Sequence, residues 1–173
     1  MKNKLIILGA GGYGQTIADM AEQSCLYERI AFLDDSSKAD NVLGKCEIYK
    51  KYKKWHIYPA FGDNKLRLNW IKRLEKEGFI IPILIHNTAY VSPKVKIENG
   101  TVVLPHAVIN TNCVIEKGCI INCGAIIDHG CVIEQGCHIC LGAIIKAENR
   151  IKQLTKVDAN ELVQARFFSV KEI

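Results

Sequence analysis

From Ile85 to Val163 an aliphatic residue occupies every sixth position: Ile85, Val91, Ile97, Val103, Ile109, Ile115, Ile121, Ile127, Ile133, Ile139, Ile145, Ile151, Val157 and Val163. An amphipathic helix returns its apolar face every three to four residues and a half-buried strand alternates every second residue, so neither period fits. A fixed hexad is the signature of a parallel β-helix, three hexads making one triangular coil. Residues about 18 apart then stack, and the marked aliphatics point into the prism. Two residues before each marked position, through most of the run, sits a small side chain: Thr101, Ala107, Cys113, Cys119, Ala125, Cys131, Cys137 and Ala143. A narrow corner of such a coil admits little else.

The pattern ahead of the repeats is different. Leu5 to Leu8 reads as a buried parallel strand that runs into Gly9-Ala10-Gly11-Gly12-Tyr13-Gly14, and Ile17, Met20 and Ala21 then mark a helix. This is G-x-G-x-x-G with a strand before it and a helix after it. Gly9, Gly11, Gly12 and Gly14 would let backbone approach a ligand, with the helix N-terminus facing a phosphate. The other reading is a turn that only packs strand on helix. Ile30 to Leu33 reads as a second strand ended by Asp34 and Asp35, placed where a nucleotide ribose would be gripped. Asp63 to Glu77 reads as a helix with Asp63 as N-cap and Gly78 as its stop. Two domains follow: a Rossmann-like α/β unit over 1–84 and a parallel β-helix with a C-terminal cap over 85–173, plugged by Phe167 and Phe168. A nicotinamide-dependent oxidoreductase fits the glycine turn alone. Size ranks that reading low, because about 85 residues are too few for a six-stranded dinucleotide fold.

Composition changes the picture in two places. Net charge is +5, and Lys50, Lys51, Lys53 and Lys54 interleave with Tyr49, Tyr52 and Trp55. Such a run suits nucleic acid, but it equally suits a solvated segment between two elements, or attraction of an anionic nucleotide. No nucleic-acid partner is expected. Of eight cysteines, Cys113, Cys119, Cys131 and Cys137 take the small corner position, which makes them core fillers rather than metal ligands or disulfide partners. No metal is expected, and free thiols in this number point to the reducing cytoplasm. The apolar run at Leu5 is too short to enter a membrane, so no membrane partner is expected.

The two halves together resemble the bacterial sugar acetyltransferases of the sialic-acid O-acetyltransferase and UDP-4-amino-sugar N-acetyltransferase type. The stretches that carry the resemblance are Ile7 to Gly12, Phe32 to Asp35, Gly62-Asp63-Asn64 with Arg67, Ile85 to Ser92 and, most diagnostic, Ile120 to His129. The resemblance implies a homotrimer of left-handed β-helices, a nucleotide-sugar substrate held by the N-terminal domain, and acetyl-CoA as co-substrate between neighbouring helices. It implies His129 as general base, since an amine or hydroxyl attacking a thioester must lose a proton. It also implies site roles for Asn122 and His138, and coenzyme contact near Gly142. From the hexad register both histidines should face outward, where an idle surface histidine is the alternative. Asn122 reads equally as a turn residue.

Three departures from the family pattern stand out. Gly130 replaces the acid that usually follows the base, and Asp128, being adjacent to His129 on a strand, is expected to point the other way. Tyr13 replaces a histidine in the glycine turn. After Ala143 the corner positions become Asn149, Thr155 and Glu161, as in a shortened coil or an incomplete donor site. These departures carry the alternative of a non-catalytic relative that binds sugar nucleotides or serves as an assembly subunit.

Overall fold

The computed structural model describes residues 2–37 and 39–164. The N-terminal unit runs β1 (Asn3–Leu8), α1 (Gly12–Gln23), β2 (Tyr27–Leu33), a 3-10 turn (Cys46–Tyr52), β3 (His56–Pro59) and α2 (Asn64–Lys76). Its strands form a parallel sheet in the order β2-β1-β3. Leu5, Ile6, Ile7 and Leu8 are all fully buried, as a central parallel strand requires. The lysine-rich stretch is the 3-10 turn leading to β3, and it buries Cys46 and Tyr49 against the sheet. β3 has no clear trace in the pattern: it is short, ends in Pro59 and follows a charged run. α2 begins as expected, with Asp63 Oδ1 accepting from Leu66 N–H at 2.6 Å.

The second unit is a three-sided parallel solenoid of two-residue strands: β4 (Leu84–Ile85), β5 (Tyr90–Val91), β6 (Lys96–Ile97), β7 (Val102–Val103), β8 (Val108–Ile109), β9 (Val114–Ile115), β10 (Ile120–Ile121), β11 (Ile126–Ile127), β12 (Val132–Ile133), β13 (His138–Ile139), β14 (Ile144–Ile145), β15 (Arg150–Ile151), β16 (Lys156–Val157) and β17 (Leu162–Val163). Its sides are the sheets β4-β7-β10-β13-β16, β5-β8-β11-β14-β17 and β6-β9-β12-β15. The stacking register is the expected one: Ile121 pairs with Val103 on one side and Ile139 on the other. From Val103 to Val157 the hexad aliphatics form one buried column with the corner Ala and Cys residues. Ile85 departs from this. It is 45% exposed, because it sits in the first coil with no coil stacked before it. The hexads continue through β15, β16 and β17 although the corners hold Asn149, Thr155 and Glu161. Phe167 and Phe168 lie outside the described residues.

The corners explain two residue types. Gly100, Gly118, Gly124, Gly130, Gly136 and Gly142 all have φ between 64° and 72°, and each lies three residues past an inward aliphatic. The turn there needs left-handed backbone, which glycine adopts without steric cost. The corner cysteines also do more than fill space. The thiols of Cys113, Cys119, Cys131 and Cys137 donate to Asp128 O, Glu134 O, Lys146 O and Lys152 O at 3.0–3.2 Å. Thr101 Oγ1 makes the equivalent bond to Glu116 O at 2.9 Å.

The N-terminal unit covers one side of the prism. Leu84, Val102 and Ile120, the outward residues of β4, β7 and β10, join the core formed by Leu5, Ile7, Ile17, Phe32 and Tyr58. Arg67 locks the junction. It is fully buried, and its guanidinium donates to Phe61 O (2.9 Å), Gly118 O (2.9 Å) and Gly136 O (3.0 Å) and to Asn64 Oδ1 (2.8 Å). A buried guanidinium is tolerable only with such saturation.

Candidate active site

The glycine turn divides its labour. Gly9 has φ +100°, and a Cβ on Gly14 would collide with the carbonyl of Gly9, so these two set the turn and seat α1 on β1. Gly11 and Gly12 have open space where a side chain would be. They leave the first-turn N–H groups of α1 approachable by an anion. Asp34 ties the turn to the end of β2. Its carboxylate accepts from Ala10 N–H (2.7 Å), Ser36 N–H (2.8 Å) and Ser37 N–H (2.7 Å), and these bonds hold it below the usual carboxylate range. Asp35 Oδ1 accepts from Cys46 N–H at 2.9 Å and borders a separate depression with Lys45, Lys50, Trp70 and Arg73.

At the junction of the two units lies a pocket of about 330 Å³. Tyr13 and Thr16 of α1 and Gly62 line it from one unit, and Leu104, Ile120, Asn122 and His138 from the other. The Tyr13 hydroxyl is 2.7 Å from the hydroxyl of fully buried Tyr58. Asn122 and His138 face each other across stacked coils, Nδ2 to Nε2 at 3.0 Å. Asn122 Oδ1 accepts from Cys123 N–H at 2.8 Å, which orients the amide so that Nδ2 donates to His138 Nε2. The network thus assigns His138 the tautomer with its proton on Nδ1. Burial first, then the charges of Arg67 and Lys156, lower its pKa to about 4, so the ring is neutral near pH 7. Gly142 makes a left-handed turn beside Leu141, a further lining residue, and stacks on Asn160.

His129 is elsewhere. It lies exposed on the turn after β11, away from the residues that line this pocket. The expected lack of an orienting acid is overturned. Asp128 Oδ1 accepts from His129 N–H at 2.7 Å and pairs with His129 Nδ1 at 3.0 Å. The alternation rule failed because β11 ends at Ile127, and a turn lets adjacent side chains share a side. Gly130 occupies a left-handed corner at φ +69°, and the stacked corners before and after it hold Asn112 (φ 60°) and Glu148 (φ 59°). Bonds from the His129 backbone and ring, with one from Asn110, hold Asp128 below the usual carboxylate range. The tautomer that donates from Nδ1 to that carboxylate carries its lone pair on Nε2.

Single-residue reading missed Tyr58 and the domain-locking role of Arg67. It also missed what stands on the outer faces of the solenoid. The residue before each inward aliphatic, read at every third hexad, gives Tyr90, Val108, Ile126, Ile144 and Leu162, an apolar column on the sheet β5-β8-β11-β14-β17. Among the described residues no helix is long and apolar enough to cross a membrane.

Residues 4–74 match the PglD N-terminal domain family. Among solved structures, the chain is similar to the acetyltransferase domain of PglB from Neisseria gonorrhoeae, with 31% identity and a TM-score of 0.89 over 93% of this chain and 82% of that one. The same domain in complex with acetyl coenzyme A matches at 27% identity and a TM-score of 0.65, over 94% of this chain and 88% of that one. A variant of perosamine N-acetyltransferase from Caulobacter crescentus, in complex with CoA and GDP-perosamine, shares the fold at 24% identity, with a TM-score of 0.80 over 94% and 89% of the two chains. With its Rossmann-like unit followed by a left-handed β-helix, this chain belongs to the bacterial hexapeptide-repeat sugar acetyltransferases.

Proposed function

We propose that the protein transfers an acetyl group from acetyl-CoA to an amine on a nucleotide-linked sugar. The observation that carries this reading is the junction pocket, where the neutral Asn122–His138 pair faces the first turn of α1. An anionic nucleotide bound at Gly11 and Gly12 has its phosphates at the helix N-terminus, and its sugar reaches toward that pair. Asp34 supports the glycine turn and Asp35 lies farther along the same edge. In the reaction the amine attacks the thioester carbonyl, a C–N bond forms, and His129 Nε2 accepts the amine proton. Collapse of the tetrahedral intermediate breaks the C–S bond, and the departing CoA thiolate takes that proton back. His138 Nδ1–H and the Asn122 amide position the acceptor or the thioester.

His129 reaches this chemistry in a homotrimer, where a neighbouring protomer supplies the second wall of the cleft. The apolar column Tyr90, Val108, Ile126, Ile144 and Leu162 supports assembly, being a continuous outward face next to the His129 turn. The donor acetyl-CoA lies in the same cleft, near the turn at Gly142. Eight free thiols support a cytoplasmic site. A purely binding or assembly role rests on Gly130 and on the shortened end of the coil, and the Asp128–His129 pair weighs against the first of these.

The test is His129→Ala. Acetyl transfer to a panel of UDP- and GDP-linked 4-amino sugars should fall by about 10²- to 10⁴-fold. The thermal shift produced by acetyl-CoA should persist. Undiminished transfer by this variant would remove His129 from the mechanism.

A further inference from the structure

The turn that carries His129 is gripped from the preceding coil. Asn110 sits one coil before Asp128, in register through the Ile109↔Ile127 pair, and its backbone N–H donates to Ile127 O at 2.9 Å. Its side-chain Nδ2 donates to Asp128 Oδ1 at 3.2 Å. That oxygen is the one that meets His129 N–H and His129 Nδ1. The Cys113 thiol holds the backbone of the same residue, donating to Asp128 O at 3.0 Å. One coil thus fixes both the main chain and the carboxylate of Asp128.

This grip matters because about half of the imidazole is exposed within its own chain. A ring in water exchanges its proton between two nitrogens and turns about χ2. Only an acceptor fixed in space keeps the proton on Nδ1 and the lone pair on Nε2. Asp128 is itself on the surface, so its carboxylate would rotate without a donor to stop it. A neutral amide suits position 110, since it donates without adding charge beside the carboxylate. Titratable groups that face the pair include the thiols of Cys113 and Cys131, Lys146 one coil later, and Glu148, whose backbone N–H donates to His129 O at 2.9 Å.

We infer that Asn110 is a positioning residue for acetyl transfer, holding the Asp128 carboxylate so that His129 keeps its proton on Nδ1 and offers Nε2 to the acceptor amine. This rests on the reading of His129 as the base.

The experiment measures the His129 tautomer in the full-length chain by ¹⁵N NMR of labelled imidazole above its titration, together with steady-state kinetics. The wild type should show mainly the Nδ1–H form. Asn110→Ala should give a mixture of tautomers and lower kcat by about tenfold, with the KM for acetyl-CoA unchanged. Asn110→Ser, which retains a donor, should recover part of both. In an Asp128→Ala background, Asn110→Ala should cause no further loss. An unchanged tautomer in Asn110→Ala, or an equal loss in the Asp128→Ala background, overturns the inference. If the tautomer responds but His129→Ala remains fully active, the positioning stands and the assignment of the base falls.

Discussion

Two imidazoles on one solenoid live in opposite surroundings. His129 is exposed and faces a carboxylate, whereas His138 is half-buried beside Asn122 with Arg67 and Lys156 nearby. The second environment opposes protonation, so the unfolded chain, with histidine near its ordinary value of about 6.5, binds more protons than the folded one in mild acid. The linkage has a definite sign. Stability is full above about pH 6.5, is lost as pH falls, and the loss from this group ends near the folded value of about 4. Melting temperatures between pH 7.5 and 4.5 should therefore fall less steeply for His138→Gln than for the wild type. Parallel slopes for the two proteins would show that the ring protonates freely. Cys113 and Asn110 give the same lesson at closer range, since a corner filler and an outward amide both hold the turn that carries His129.

At the scale of elements, the strand–turn–helix at the N-terminus separates folding from binding. Gly14→Ala puts a methyl group against the Gly9 carbonyl where α1 meets β1, and backbone on backbone has nowhere to move. A loss of about 2–4 kcal/mol, or failure to fold, is expected by chemical denaturation. Gly12→Ala meets nothing, lies at the start of a helix that alanine favours, and should leave the melting temperature within about a degree or two. It should nevertheless weaken binding of UDP- or GDP-sugars at least about tenfold in calorimetry, since the added methyl occupies the approach to the helix N-terminus. Equal affinities for Gly12→Ala and the wild type would reduce the turn to a packing device.

For the whole molecule, the three sides of the solenoid have three fates. One is covered by the N-terminal unit through Leu84, Val102 and Ile120. The side carrying Lys96 and Arg150 is more polar. The side carrying Tyr90, Ile126, Ile144 and Leu162 leaves those side chains exposed. Ile126→Glu with Ile144→Lys tests the proposed trimer: the double variant should sediment as a monomer in sedimentation velocity and lose acetyl transfer. The far-ultraviolet spectrum should be retained, because neither side chain points into the prism. A wild-type chain that sediments as a monomer at micromolar concentration would contradict the proposed trimer.

The six-residue period, the corner sizes and the strand–glycine–helix order determined the architecture of both units. Burial repeats with the geometry of the coil, so every inward position leaves its own mark on the chain. The residues of the candidate site were legible through their family pattern, but their relations were not. Asp128 facing His129, Asn122 bonded to His138, and Arg67 joined to turns of two adjacent coils all depend on contacts between segments far apart in sequence or on a turn's backbone angles. β3 and the depressed pKa of His138 are likewise products of tertiary context, since a short strand and a desolvated ring acquire their properties only from what packs against them.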